Sequence, residues 1–138
     1  RGTRLMAFVV DNSVVIAWFI GDQATAHTIR LKERSRREIL HAPSVWPLEL
    51  VNSVWSMQKR RLLRAHQADE IIGKATRLGI IVHGEPIAMQ SLLALARQLA
   101  LTSYDASYID LAQRLGLPLA ARDAALVVAA RRAGVRTA

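Results

Sequence analysis

Four short runs of apolar residues, separated by segments with helical periodicity, constrain the fold of this sequence more than any other feature. A run without polar alternation is typical of a strand that is covered on both faces, and strands separated by helices indicate a parallel sheet. The runs lie at residues 7–10, 39–42, 80–82 and 119–121, and residues 135–137 are a candidate edge strand. We therefore predict an α/β fold with a central parallel sheet of four to five strands flanked by α-helices.

Helical periodicity fills the intervals between these runs. Pro47 and Pro86 favour helix starts, whereas Gly79, Gly116 and Gly134 favour helix ends. We predict helices over residues 13–20, 24–35, 47–59, 65–78, 87–100, 103–115 and 124–133.

The helix predicted at residues 47–59 shows how apolar and polar residues separate. Its apolar residues recur at the i, i+3, i+4, i+7 and i+8 spacing, which predicts one buried face. Glu49 heads the opposite, polar face. The predicted buried stripe comprises Pro47, Leu50, Val51, Val54 and Trp55.

The length of 138 residues suits one domain with a real core and leaves little room for a second. We assign residues 6–138 to that single domain. Residues 1–5 precede Met6, and the first structural pattern starts only at Ala7, so we interpret them as a vector-derived leader.

Composition indicates the class of partner. The chain has 19 Lys and Arg against 11 Asp and Glu, a net charge of +8, which favours polyanions such as nucleic acid. It has no cysteine, which excludes disulfides, thiolate nucleophiles and zinc–thiolate sites. Any metal must therefore bind to oxygen or imidazole ligands.

The distribution of apolar residues bears on location and assembly. No stretch approaches the ~18 apolar residues of a membrane span, and no segment resembles a signal peptide. We therefore expect a cytoplasmic protein that does not associate with a membrane. The hydrophobic content of 51% is high for a small domain and predicts contact with another chain, in a dimer or with a bound partner.

Four acidic residues are predicted to share one edge of the sheet. Asp11 and Asp123 each follow a strand, and ligand sites of parallel sheets gather at the carboxyl ends of the strands. Glu49 opens the helix that follows the second strand. Asp105 begins a helix that must run opposite to the strand it feeds at Leu119, so it starts at the same edge.

Clustered carboxylates repel one another and are tolerated on a partly buried rim mainly when protons or cations neutralise them. Oxygen ligands favour a hard cation such as Mg²⁺ or Mn²⁺. Such an ion can orient a phosphodiester and activate water. Beside a basic surface, the four acids therefore predict phosphodiester hydrolysis.

Each acid also has a purely structural explanation. Asp123 is placed to cap the helix beginning at Ala124, and Thr102 with Asp105 matches a capping box. Glu49 suits the positive end of a helix, and Asp11 suits a turn. Four independent structural roles that all fall on one sheet edge are a less simple explanation than one shared ion site.

Four segments resemble the motifs of the PIN-domain family, and of its VapC-type toxins in particular, in order and spacing. FVVDNSVV at residues 8–15 is similar to the opening strand, whose metal-binding Asp is followed two residues later by Ser or Thr. PLELVN at 47–52 is similar to the helix that carries the Glu. LTSYDASY at 101–108 and LAARDAAL at 119–126 are similar to the last two acidic motifs.

This resemblance implies a Mg²⁺- or Mn²⁺-dependent endoribonuclease that acts as the toxin of a VapBC-type pair. It implies Asp11, Glu49, Asp105 and Asp123 as catalytic metal ligands, with Asn12 and Ser13 in supporting positions. The implied partners are an RNA substrate, a VapB-type antitoxin and a second copy of the chain in a homodimer. The sequence departs from the pattern in one respect, because Ala121 replaces the Thr that many relatives have two residues before the final Asp.

Other polar residues give weaker signals. A solvated surface explains the two basic clusters about as well as RNA contact does. The three Trp residues are expected to pack in the core or against a partner. The four His residues show no ligand spacing, so we predict neither a zinc site nor a histidine base. Asp110 lies about 140° around its helix from Asp105 and is left out of the site. The clusters are Arg30, Lys32, Arg34, Arg36 and Arg37, and Lys59, Arg60, Arg61 and Arg64; the Trp residues are Trp18, Trp46 and Trp55; the His residues are His27, His41, His66 and His83.

Two competing hypotheses remain. A haloacid-dehalogenase-type phosphatase needs a second Asp two residues after the first, where this chain has Ser13. A catalytically silent PIN-fold module that binds nucleic acid or a partner would retain the fold without turnover, and it stays the alternative.

Overall fold

The computed structural model describes residues 6–138. Four strands form one parallel sheet in the order β3-β2-β1-β4, with β1 at Ala7–Val10, β2 at Ile39–Pro43, β3 at Ile81–His83 and β4 at Leu119–Ala120. A single parallel bridge joins Leu119 to Thr137. The predicted α/β class and parallel sheet are confirmed, and the candidate fifth strand is reduced to this bridge.

Helices flank the sheet and connect its strands. A 3-10 turn at Gly21–Gln23 separates the first two helices. The helices are α1 at Asn12–Phe19, α2 at Ala26–Ser35, α3 at Trp46–Lys59, α4 at Ala65–Thr76, α5 at Met89–Leu99, α6 at Ser103–Leu115 and α7 at Ala124–Arg132. In residues 6–138, no helix is long and apolar enough to cross a membrane.

The ends of the helices follow local capping chemistry. The second helix begins at Ala26 rather than at the predicted 24, because Thr25 and Thr28 form a reciprocal capping box there. The fifth begins at Met89, so Pro86 precedes it by three residues instead of starting it. Gly116 ends α6 with a positive φ of 66°, a conformation that glycine adopts without strain.

Helix α6 connects the core to the acidic edge. It packs against β1, β2 and β4 through a fully buried face that includes Tyr108, Ile109 and Leu111. Strand residues such as Phe8 and Val9 are equally buried, as expected for a parallel sheet that is covered on both faces. Since α6 is fixed along its length by apolar packing, the position of its first turn is fixed too.

Helix α3 buries a narrower face than the sequence predicts. Leu50 and Val54 are buried, but Val51 is 56% exposed and Trp55 is 50% exposed. Pro47, in the first turn of α3, is exposed as well. The prediction that Pro47 lies in the buried stripe was therefore wrong for the isolated chain, as it was for Val51 and Trp55. The two residues stand one position, about 100°, round the helix from Leu50 and Val54, beyond the part of α3 that its neighbours cover.

The fold brings together two histidines that are far apart in the sequence. His41 on β2 and His83 at the end of β3 form a hydrogen bond of 2.8 Å between Nδ1 and Nε2, and His83 Nδ1 lies 3.2 Å from a Glu85 carboxylate oxygen. Burial, and secondarily the charge of His83, lowers the pKa of His41. No sequence pattern predicts this pair, because the parallel pairing of β2 with β3 creates it.

The His41–His83 pair should make folding stability pH-dependent. Because the folded pKa of His41 is lowered, stability is complete above the unfolded pKa of about 6.5 and decreases as the pH falls below it. We expect wild type to lose about 0.5–1 kcal/mol relative to His41→Gln between pH 7 and 5.5, allowing for solvent screening. Urea unfolding at each pH measures this difference. His66→Gln, in an exposed part of α4, should follow the wild-type profile, and identical profiles for wild type and His41→Gln would contradict the prediction.

Candidate active site

The four predicted acids line one cavity at the carboxyl edge of the sheet. Its volume is about 390 Å³. Asp11, Glu49, Asp105 and Asp123 reach it from four different elements, as the parallel topology predicts. Further lining residues are Asn12, Ser13, Ile16, Gln23, Ser53, Met57 and Leu126.

Asp11 is the most deeply buried of the four, at 7% exposure. It follows β1 and caps α1, accepting hydrogen bonds from the Ser13 amide at 3.3 Å and from the Ser13 hydroxyl at 2.5 Å. Burial raises the pKa of Asp11, and the nearby charge of Asp105 adds to this, while the hydrogen bonds from Ser13 oppose it. Ser13 therefore supports Asp11 by orienting its carboxylate.

Glu49 lies in the first turn of α3, where the sequence analysis placed it. Its Oε1 accepts a 2.6 Å hydrogen bond from the hydroxyl of Tyr108. Burial raises the pKa of Glu49; the Tyr108 hydrogen bond opposes this rise, and the charges of Asp11 and Asp105 add to it. No pattern in the sequence predicted this bond, because Tyr108 and Glu49 are 59 positions apart.

Asp105 differs from the other three because no hydrogen bond holds its carboxylate within residues 6–138. The Thr102 hydroxyl accepts from the Asp105 amide at 3.1 Å, which is only one half of the capping box considered above. Burial raises the pKa of Asp105, and the charge of Asp123 raises it further. The carboxylate is thus directed to the cavity without a protein partner there.

Asp123 combines the structural and the functional interpretation. Its Oδ2 accepts from the Leu126 amide at 2.9 Å, so it caps α7, and it also lines the shared cavity. A cap uses one carboxylate oxygen, and the other remains available for a ligand.

Asn12 adds an unpaired oxygen to the cavity. Its amide nitrogen donates to the Ser53 hydroxyl at 3.1 Å, while its buried Oδ1 has no hydrogen-bond partner within the described chain. A buried polar atom without a partner is costly, so this oxygen is available to accept a hydrogen bond.

The oxygen atoms that line the cavity suit a hard cation, but the side chains are not arranged to coordinate one. Every donor is a carboxylate, amide or hydroxyl oxygen, as Mg²⁺ and Mn²⁺ prefer. Three of the carboxylates have raised pKa values, and mutual repulsion contributes to each rise. Within residues 6–138, no three His, Asp or Glu side chains are already arranged to hold a metal ion. The site is thus an acidic cavity lined by four carboxylates that are not arranged round a common point.

Some of the other charged groups are paired outside the cavity. Asp110, which the sequence analysis left out, pairs with Arg114 at 2.9 Å. In the first basic cluster, Arg34 pairs with Glu38 at 2.7 Å and Arg36 with Glu33 at 2.8 Å. These ion pairs favour a structural role for Arg34 and Arg36, two of the five residues of that cluster.

The sequence analysis overlooked Arg122, which immediately precedes Asp123. It lines a neighbouring cavity with Ser13, Thr25, His27 and Asp123. Its position next to a proposed ligand was the available signal. No periodicity distinguishes it from other surface arginines.

Comparison with known proteins places the chain in a family. Residues 8–132 match the sequence profile of the PIN domain. The chain is 27% identical over 113 residues to Ribonuclease VapC3 from Pyrobaculum aerophilum, covering 80% of this chain and 85% of that one.

Solved structures agree with this match. The crystal structure of PAE2754 from Pyrobaculum aerophilum superposes with a TM-score of 0.67 at 25% identity, over 93% of this chain and 87% of that one. The crystal structure of FitAcB from Neisseria gonorrhoeae superposes with a TM-score of 0.66 at 16% identity, over 96% of both chains, which shows the fold alone. On this match and on the architecture described above, the chain belongs to the PIN-domain family.

Proposed function

We propose that this protein is a metal-dependent endoribonuclease and that it acts as the toxin of a VapBC-type toxin–antitoxin pair. The observation that carries the proposal is the convergence of four carboxylates from separate elements on one cavity. The ribonuclease named among its relatives and the basic net charge of +8 support RNA as the polyanionic substrate. We assign the domain to residues 6–138, of which 8–132 match the family profile.

The oxygen donors of the cavity define the proposed cofactor. Asp11, Glu49, Asp105 and Asp123 would hold Mg²⁺ or Mn²⁺, which would supply Lewis-acid activation and charge neutralisation at a phosphodiester. The protein groups have separate tasks. Ser13 orients Asp11, Tyr108 orients Glu49, and the uncommitted carboxylate of Asp105 is free to adjust to the ion.

A nuclease assay with matched variants tests this function. We expect purified wild type to cleave structured RNA with Mn²⁺, and we expect Asp11→Ala and Asp105→Asn to lower the rate at least about 100-fold. Gel or mass-spectrometric analysis of the products measures both. Asp110→Asn is the control, because it removes an acid from the same helix as Asp105 but outside the cavity, and it should cleave at close to the wild-type rate.

If the Asp11 and Asp105 variants cleave as well as wild type, the assigned site is wrong. If wild type binds RNA and a divalent ion without cleaving any RNA tested, the silent binding module replaces the nuclease.

Ion binding is tested separately by thermal unfolding. In a chelator, Asp105→Asn should stabilise the fold by up to about 1 kcal/mol, because the charged form of a carboxylate with a raised pKa is the destabilising one and the amide removes that charge. Mn²⁺ at about 100 times its Kd should stabilise wild type by ~2.7 kcal/mol, and the variant by much less. Equal stabilisation of wild type and Asp105→Asn by Mn²⁺ would place the ion elsewhere.

The toxin role and its partners are a further part of the proposal. The apolar side chains that α3 and α5 leave exposed, such as Val51, Trp55 and Leu93, favour contact with other chains, in a homodimer and with a VapB-type antitoxin. Expression of the chain alone should arrest growth, and co-expression with the reading frame adjacent to its gene should relieve the arrest. Asp105→Asn should not arrest growth. Size-exclusion chromatography with light scattering measures both assemblies, and a monomer without any relieving partner would remove the toxin assignment while leaving the nuclease intact.

A further inference from the structure

The acidic cavity borders a second cavity whose lining includes a cation. The two share Ser13 and Asp123 as lining residues. Apart from Asp123, the second cavity, of about 410 Å³, is lined by Thr25, His27 and Arg122 rather than by further acids. Ser13 and Asp123 therefore separate a cavity lined by four carboxylates from one that contains the guanidinium of Arg122.

Arg122 is held in place without being neutralised. Its Nη1 lies 3.0 Å from Gln23 Oε1 and 3.5 Å from the carbonyl oxygen of Ser13. It makes no ion pair with a carboxylate within residues 6–138. Four other cations are paired with acids, namely Arg34, Arg36, Lys74 and Arg114. Many surface cations of residues 6–138 are unpaired too, so what sets Arg122 apart is its position beside the acidic cavity.

Among the hydrogen-bond donors of this cavity, Arg122 has the most spare capacity. The Thr25 hydroxyl caps α2, and His27 Nε2 lies 2.8 Å from the carbonyl oxygen of Ala138. A guanidinium has five N–H donors in a planar fork, and the contacts with Gln23 and Ser13 involve Nη1 alone. Its remaining face matches the two oxygens of a phosphate.

A polynucleotide brings more than one phosphate to the site. When one phosphate lies among the four carboxylates, its neighbours along the strand need a cation and not another acid. We propose that Arg122, anchored by Gln23 and by the Ser13 carbonyl, binds the RNA phosphate next to the one that is cleaved. This inference rests on the proposed nuclease function and adds a substrate subsite to it.

A protein–substrate double-mutant cycle tests the subsite. The substrate is an oligoribonucleotide that wild type cuts at a mapped position, with and without a neutral methylphosphonate at each phosphate flanking that position. Arg122→Ala should lower kcat/KM about tenfold on the all-phosphate substrate, mainly through KM. One of the two methylphosphonates should lower kcat/KM of wild type by a similar factor but hardly lower that of Arg122→Ala. The reason is that either change alone already removes the contact between Arg122 and that phosphate.

Three variants control for general effects. Arg132→Ala removes an exposed arginine from the far end of α7 and should stay within about twofold of wild type. Arg122→Lys should restore only part of the loss, because an ammonium cannot bind the anchor and a phosphate as a planar fork does. Gln23→Ala, which removes the anchor, should raise KM less than Arg122→Ala does.

The outcomes separate the subsite from the nuclease. If the losses from Arg122→Ala and from both methylphosphonates simply add, or if Arg122→Ala cleaves like wild type, the subsite is overturned and the nuclease stands. A second measurement covers a protein that cleaves no RNA, namely binding of a fluorescent oligoribonucleotide with Ca²⁺ in place of Mn²⁺. A tenfold weaker affinity of Arg122→Ala, with a salt dependence lower by about one counterion, would then support the phosphate site although the proposed function had failed. Unchanged affinity would overturn it.

Discussion

Parallel pairing of β1 with β2 and β4 is the constraint on which the site depends. The register that pairs Val9 with His41 and with Leu119 aligns the carboxyl ends of three strands, so the residues that follow them meet at one edge. Asp11 directly follows β1. Glu49 lies in the first turn of α3, the helix after β2, and Asp123 caps α7, the helix after β4. The sheet thus assembles acids separated by more than 100 positions in the chain.

The same acids stabilise and destabilise the fold. Asp11 and Asp123 satisfy amides at the starts of α1 and α7, and each such cap is worth about 1 kcal/mol. Burial of the carboxylates, and secondarily their mutual repulsion, opposes this gain and raises the pKa values of Asp11, Glu49 and Asp105. A structural role and a ligand role are therefore not alternatives at Asp11 and Asp123, because a carboxylate has two oxygens.

The sequence was sufficient for the features that depend on local pattern and chain direction. Continuous apolar runs predicted the parallel sheet, and the alternation of strands and helices predicted that the four acids share an edge. It was insufficient where tertiary contact decides. The exposure of Val51 and Trp55 depends on how much of α3 its neighbours cover. The Tyr108–Glu49 bond and the His41–His83 pair join residues 59 and 42 positions apart, and no periodicity encodes them.

The position of Arg122 beside the acidic cavity is also decided by tertiary contact. In the sequence, Arg122 is one of 19 basic residues and has an acid on one side and an alanine on the other. What distinguishes it is its place after folding, because it lies beside the acidic cavity and two neutral acceptors hold it there without a carboxylate partner. A cation paired with a carboxylate must give up that partner before it can bind a phosphate, whereas one held by an amide and a carbonyl oxygen keeps its full charge. For this reason the net charge of +8 says little about where a polyanion would bind, and the pairing state of each cation says much more.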